Sequence, residues 1–168
     1  MRSTAKWLAA LSIAILAGVP GMVGADSHEG HDKLPPGPIR DRHELMEQQG
    51  QQAENINNAF NIGSEGFDSS IVQRSAQAIA MSAHQIPDLF PKGSTDPNSR
   101  ALPAIWENWD KFTGLAKQLE DQAQSLSSAA GAEDDENLHA KANKMFGTCK
   151  ACHDQFRRPK DDKDKKSS

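Results

Sequence analysis

Between residues 38 and 158 the apolar side chains recur at three- and four-residue steps, and no stretch shows the period-two alternation of a half-buried strand. The first such run extends from Pro38 to about Asn61. Ile39, Arg42, Met46, Ala53, Ile56 and Phe60 share one stripe, which Gly63 and Gly66 bring to an end. A second helix is expected from a Ser69/Ser70 cap, with Val72, Ile79 and Ile86 at heptad spacing until Pro87 stops it. The stretch from Phe90 to Ser99 is turn chemistry and reads as a loop. A third helix begins with Pro103 in its first turn, where the missing N–H costs nothing, and carries Ile105, Trp109, Phe112, Ala116, Leu119, Ala123 and Leu126 as a bundle seam. A fourth follows the acidic run Glu133-Asp-Asp-Glu136 and repeats the pattern with Leu138, Ala142, Met145, Cys149, Cys152 and Phe156. Acids at its start and Arg157-Arg158 at its end suit the helix dipole. The fold class is all-α, an antiparallel four-helix bundle over residues 38–158.

The segments outside that span have different characters. Residues 1–25 open with Arg2 and Lys6, run apolar from Trp7 to about Val19 and close on Val23-Gly24-Ala25. This is the pattern of a secretory signal peptide cleaved after Ala25, and the apolar run is too short for a membrane span. Residues 26–37 are polar and rich in Pro and Gly, and read as a flexible leader; His28 and His31 within it read as solvated. Residues 159–168 form a charged flexible tail. The full chain of 168 residues carries 19 basic and 23 acidic side chains, and cleavage leaves net −6. An exported, acidic protein with no basic face is not a nucleic-acid binder, and it has no membrane association after cleavage.

Only two cysteines occur, in Cys149-Lys150-Ala151-Cys152-His153. This C-x-x-C-H pattern is the signature of covalent c-type haem attachment, one haem per chain. Side chains three and four apart share a helix face, so both thiols and the imidazole can converge on one ligand. The thiols would form thioethers and His153 would be the axial iron ligand. A redox pair needs a βαβ context that this chain lacks and a zinc site needs two more ligands; a structural disulfide that happens to precede a His is the other alternative, and haem is preferred because motif, export signal and helical context agree. Met81 and Met145 read as core, and Trp106 and Trp109 as core or haem-wall aromatics.

From about Ile39 to Arg158 the chain resembles class II c-type cytochromes, the cytochrome c′ family. The resemblance rests on Cys149-Lys-Ala-Cys-His153-Asp-Gln-Phe-Arg157, on Phe90-Pro-Lys-Gly93, on Ala101-Leu-Pro-Ala-Ile-Trp106, and on Arg42 four residues before Met46. It implies that Met46 sits at the distal position over the iron and that Arg42 lies near the haem propionates. It also implies that Arg157 stands beside the proximal histidine. Ser99, Arg100 and His43 are further propionate candidates.

The family holds two chemistries that differ at the sixth coordination position. In the cytochrome c′ type the iron is five-coordinate and open to NO and CO. In the cytochrome c556 type a methionine, here Met46, binds the iron and the protein is a closed electron carrier. The first is the preferred reading, with electron transfer and gas binding as the activity, and a haem-free exported adaptor is the remote alternative. No second constellation of acid, base or nucleophile points to an enzyme. The expected location is the periplasm, the expected assembly a homodimer, and the net charge suggests a redox partner with a basic patch.

Overall fold

The computed structural model describes residues 34–61, 68–132 and 137–159. The expected signal peptide, His28 and His31, the expected Gly63/Gly66 break, the acidic run 133–136 and the expected tail from residue 160 lie outside the described residues. In chain order the helices are α1 (Pro38–Asn61), α2 (Ser69–Gln85), the short α3 (Ala104–Glu107), α4 (Trp109–Gly131) and α5 (Leu138–Phe156), with a 3₁₀ turn at Pro87–Leu89 between α2 and α3. Among the described residues no strand is present, and no helix is long and apolar enough to cross a membrane. Leu34, assigned by sequence to the leader, is buried, and its carbonyl accepts from Arg40 Nη2 at 2.6 Å.

Side-chain pairs set the register of the four long helices. Ser127 on α4 hydrogen-bonds Gln77 on α2, and nearer the bundle's other end Glu120 meets His84. Lys141 on α5 reaches Ser125, and Thr148 donates to Gln122 at 2.8 Å. Phe60 at the end of α1 lies 4.8 Å from His139 at the start of α5. Between α2 and α4, and between α4 and α5, residue numbers rise on one helix as they fall on its neighbour, which is antiparallel packing. α2 and α4 form the most extensive interface, α1 lies on α2 and α5 on α4, whereas α1 and α5 scarcely touch.

Residue size accounts for that asymmetry. The buried faces of α2 and α4 are rich in small side chains, Ser75, Ala76, Ala80 and Ala83 on one and Ala116, Ala123, Ser127 and Ala130 on the other. Small side chains let helix axes approach closely. Val72, Ile79, Leu126, Leu138 and Met145 fill the remaining volume and are almost fully buried.

Five expectations need correction. The cap of α2 is Asp68, whose carboxylate accepts from the Ser70 N–H at 2.9 Å; Ser69 and Ser70 already lie inside the first turn. The third helix is interrupted at Asn108, whose backbone N–H and side-chain amide both bond the Ala104 carbonyl, a local competition with helical hydrogen bonding typical of Asn. Pro103 is the N-cap of α3 rather than a residue of its first turn. Trp109 starts a new helix, is 37% exposed and is not a seam residue, although its ring still lies 5.7 Å from that of Phe112. Met81 is 62% exposed on the outer side of α2, so only Met145 is core.

Candidate functional site

The last turns of α5 place Cys149, Cys152 and His153 on one side of the helix, as the three- and four-residue spacing requires. With Met46 of α1 they line a recess along the loose seam between the two helices. Ile86, Leu115, Ala116 and Leu119 supply aliphatic walls from the other elements. The polar Gln49 and Thr148, also on the wall, are committed elsewhere: the Gln49 amide donates to Ser82 Oγ at 2.9 Å, and Thr148 Oγ1 donates to Gln122.

The chemistry of the donor set fits the group implied by the motif. The two thiols are half-buried and not joined to each other. Burial pushes both up from the ordinary thiol range, Cys152 to about 11 with the neighbouring Cys149 adding to it. Burial also lowers His153, helped by Arg157 and Arg100 and opposed by Asp154, so the imidazole is held neutral, the form that binds a metal. Two thiols, one neutral imidazole and an apolar wall suit a large flat apolar cofactor that is covalently attached and axially ligated. Among the described residues no group of three or more His, Cys, Asp or Glu forms a polar metal cage.

Arg42 is buried, 3% exposed, despite its charge. Its Nη1 donates to Ser94 Oγ at 2.9 Å, and its Nη2 donates to the Ser94 carbonyl at 2.8 Å and to Ser99 Oγ at 3.0 Å. The guanidinium also lies 4.8 Å over the Phe90 ring. Burial lowers its pKa, partly offset by the Asp96 carboxylate. Arg42 thus ties the start of α1 to the loop between α2 and α3. Trp106 fixes the other side of that loop by donating to the Phe90 and Pro91 carbonyls.

Other candidates surround this end of the bundle. Ser99 Oγ accepts from Arg42 and from the Ala101 N–H. Arg100 donates from Nε and Nη2 to the Arg158 carbonyl at 2.9 and 2.7 Å, while the Arg158 N–H returns to the Arg100 carbonyl. Arg157 follows one turn after His153 and pairs in a short bridge with Ala101. Its pKa is lowered by burial and by Arg100. His43 Nε2 lies 3.2 Å from Glu47, one turn along α1. The structure therefore brings Met46, Cys149, Cys152 and His153 to one recess, joins Arg42 and Ser99 in a loop tether, and gathers Arg100 and Arg157 at the end of α5.

Sequence reasoning missed Ser94, the principal partner of Arg42, and the wall residues Gln49, Leu115 and Thr148. Ser94 sits in a loop without periodicity, so nothing in the sequence marked it. Leu115 lies one position off the seam of α4, and its place could have been read from the helical phase once α4 was known to begin at Trp109.

A helical bundle with C-x-x-C-H on its last helix and an apolar slot beside it defines a c-type haem protein of the bundle class. The family model described as Cytochrome C' matches residues 37–157, and the chain belongs to the cytochrome c′ family. A cytochrome c′ of Rhodopseudomonas palustris is 37% identical over 124 residues, covering 73% of this chain and 82% of the relative. A cytochrome c-556 of Agrobacterium tumefaciens is 33% identical over 99 residues, 59% of this chain and 80% of the relative. The solved cytochrome c′ from Rhodopseudomonas palustris superposes with a TM-score of 0.66 at 31% identity, covering 76% of this chain and all of that one. Family membership carries haem c as the covalent cofactor.

Proposed function

We propose that the protein is a periplasmic haem c electron carrier with a five-coordinate iron, in which Cys149 and Cys152 hold the haem and His153 is the proximal ligand. One observation carries the reading: the two thiols and the imidazole of α5 face Met46 across the seam where α1 and α5 fail to pack. The haem supplies the one-electron couple, and the chain supplies orientation, a dry wall and the axial base. The wall is aliphatic, and its Gln49 and Thr148 are already hydrogen-bonded, so it favours small neutral ligands such as NO and CO over charged ones. Met46 shields the distal side in this reading. Arg42, His43, Ser99, Arg100 and Arg157 are the cations and donors proposed for the propionate side and the proximal edge.

A second reading makes Met46 the sixth ligand. Its thioether is a soft donor lining the same recess as His153, and relatives named cytochrome c-556 are nearly as similar as those named cytochrome c′. His/Met ligation raises the potential and closes the iron to gases. An optical spectrum of the oxidised and reduced protein, with and without CO, separates the two. A high-spin spectrum with a prompt CO shift supports five-coordination. A low-spin spectrum that ignores CO in the wild type and turns CO-reactive in Met46→Ala establishes the second reading. Homodimerisation is tested by sedimentation at micromolar concentration, where a monomer would overturn it.

A further inference from the structure

The charge of this molecule is unevenly distributed. From Leu138 to Pro159 the chain carries Lys141, Lys144, Lys150, Arg157 and Arg158 against the single carboxylate Asp154, although the whole chain is net negative. Arg100 is laced to the end of this segment by three hydrogen bonds with Arg158, so a further cation joins Arg157 and Arg158 there, while Lys150 lies on the other side of α5 from Lys141 and is ion-paired with Asp154. On the α4 side, Lys141 and Lys144 line a groove together with Lys117. The one carboxylate among the groove's lining residues, Asp121, is already ion-paired with Lys117. The helix opposite has the other sign: α1 carries Asp41, Glu44, Glu47 and Glu54 against Arg40 and the buried Arg42.

We infer that the α5 face, from the groove beside Lys141 and Lys144 to the arginines after His153, is the docking surface for an acidic redox protein. The inference rests on the electron-carrier reading and reverses the partner charge that net charge alone suggests. Complementary potential steers encounter and sets orientation, and what counts is the field of the face presented rather than the total charge. With Lys150 and Asp154 paired to each other, the two propionates of a bound haem would not cancel the five cations that remain, Lys141, Lys144, Arg100, Arg157 and Arg158. From Lys141 to Arg158 the face is about 25 Å long at helical rise, which is enough for a standard interface of about 800 Å² per partner. The same α5 carries the proposed thioether cysteines and the axial histidine, so a partner seated here lies against the helix that holds the haem.

The test uses the full-length ferrous haem protein and two inorganic one-electron oxidants, anionic hexacyanoferrate(III) and a cationic cobalt(III) polypyridyl complex, as stopped-flow probes. Oxidation by the anion should slow by about threefold or more between ionic strengths of about 0.02 and 0.5 M, and oxidation by the cation should speed up or stay flat. The double variant Lys144→Glu/Arg158→Glu should abolish the salt dependence with the anion. Arg74→Glu on α2, which shifts net charge in the same direction, should leave the sign of that dependence unchanged. Rates with the anion that rise with salt would show that net charge governs and would overturn the docking face while leaving the carrier reading intact. A haem that exchanges electrons with neither probe would overturn the carrier reading itself. Retention on anionic but not zwitterionic phospholipid vesicles at physiological salt would assign the face to a membrane surface and overturn the protein partner.

Discussion

Replacing Arg42 by Lys separates the loop tether from a simple need for positive charge. The guanidinium makes three hydrogen bonds from two nitrogens, to both acceptors of Ser94 and to Ser99 Oγ, and covers the Phe90 ring. A lysine ammonium keeps the charge but is a point donor without the planar fork, so it cannot span Ser94 and Ser99 in the same way. A net hydrogen bond contributes about 1 kcal/mol, more when one partner is ionised, so losing two of three at a buried site costs about 2–3 kcal/mol. Arg42→Met loses all three, but it also removes a buried cation, and the two changes together cost about the same as the Lys variant or slightly less. Guanidinium chloride unfolding of the haem protein, followed by far-ultraviolet circular dichroism, gives the free energies. Hydrogen exchange over residues 90–100 shows whether the loss is local. Faster exchange confined to that loop, with the unfolding slope unchanged, is the expected pattern. A Lys variant as stable as wild type, with loop exchange unaltered, would refute the tether and leave only a charge requirement.

Other outcomes follow from single contacts. Met145→Ala empties a fully buried position between α4 and the rest of the core and should cost about 2–5 kcal/mol in denaturant unfolding; a loss below about 1 kcal/mol would mean the site collapses freely. Asp68 is held below its ordinary pKa by its hydrogen bonds to Ser70, so its cap stabilises above the unfolded-state value near 3.8 and is lost as pH falls through the lower folded-state value. The stability gap between wild type and Asp68→Ala should therefore shrink below about pH 4, and a gap constant down to pH 2 would rule out the carboxylate as its source. Cys149→Ser or Cys152→Ser alone should leave one thioether and shift the pyridine haemochrome band to longer wavelength, because one vinyl group remains conjugated. The double variant should lose haem staining on a denaturing gel, and a stain that persists would refute thioether attachment.

The four long helices were legible because each buries one stripe, and stripe periodicity survives even where individual contacts are unknown. The ends and breaks were less so. Asn108 looks like an ordinary polar position between Ile105 and Phe112, yet its amide takes the Ala104 carbonyl, shifts the phase and turns Trp109 outward. Asp68 was overlooked for two serines because both residue types cap helices, and only backbone angles decide which one stands outside the first turn. At the site, Cys149, Cys152 and His153 are set by one helical spacing, so local sequence places them together. Arg42 and Ser94 lie 52 residues apart in an aperiodic connection, and no local rule can pair them.

The looseness of the α1–α5 seam and the tightness of the α2–α4 interface have one origin. Alanine and serine on the facing sides of α2 and α4 bring those two helices close, and Leu126, Ile79 and Val72 seal the space that remains. α1 then lies on α2 and α5 on α4, and the two make little contact with each other. What faces the seam is Met46 from one side and two cysteines and a histidine from the other, side chains that line a recess in place of a large aliphatic contact between the helices. Ion pairs cannot close it either, because the acidic positions of α1 and the basic ones of α5 are mostly exposed, where a pair contributes little. Ordering at that seam must therefore come from what binds in it. The α2–α4 pair is held by close packing of small side chains, whereas the α1–α5 seam, where Cys149, Cys152 and His153 stand, is left for a bound group to fill.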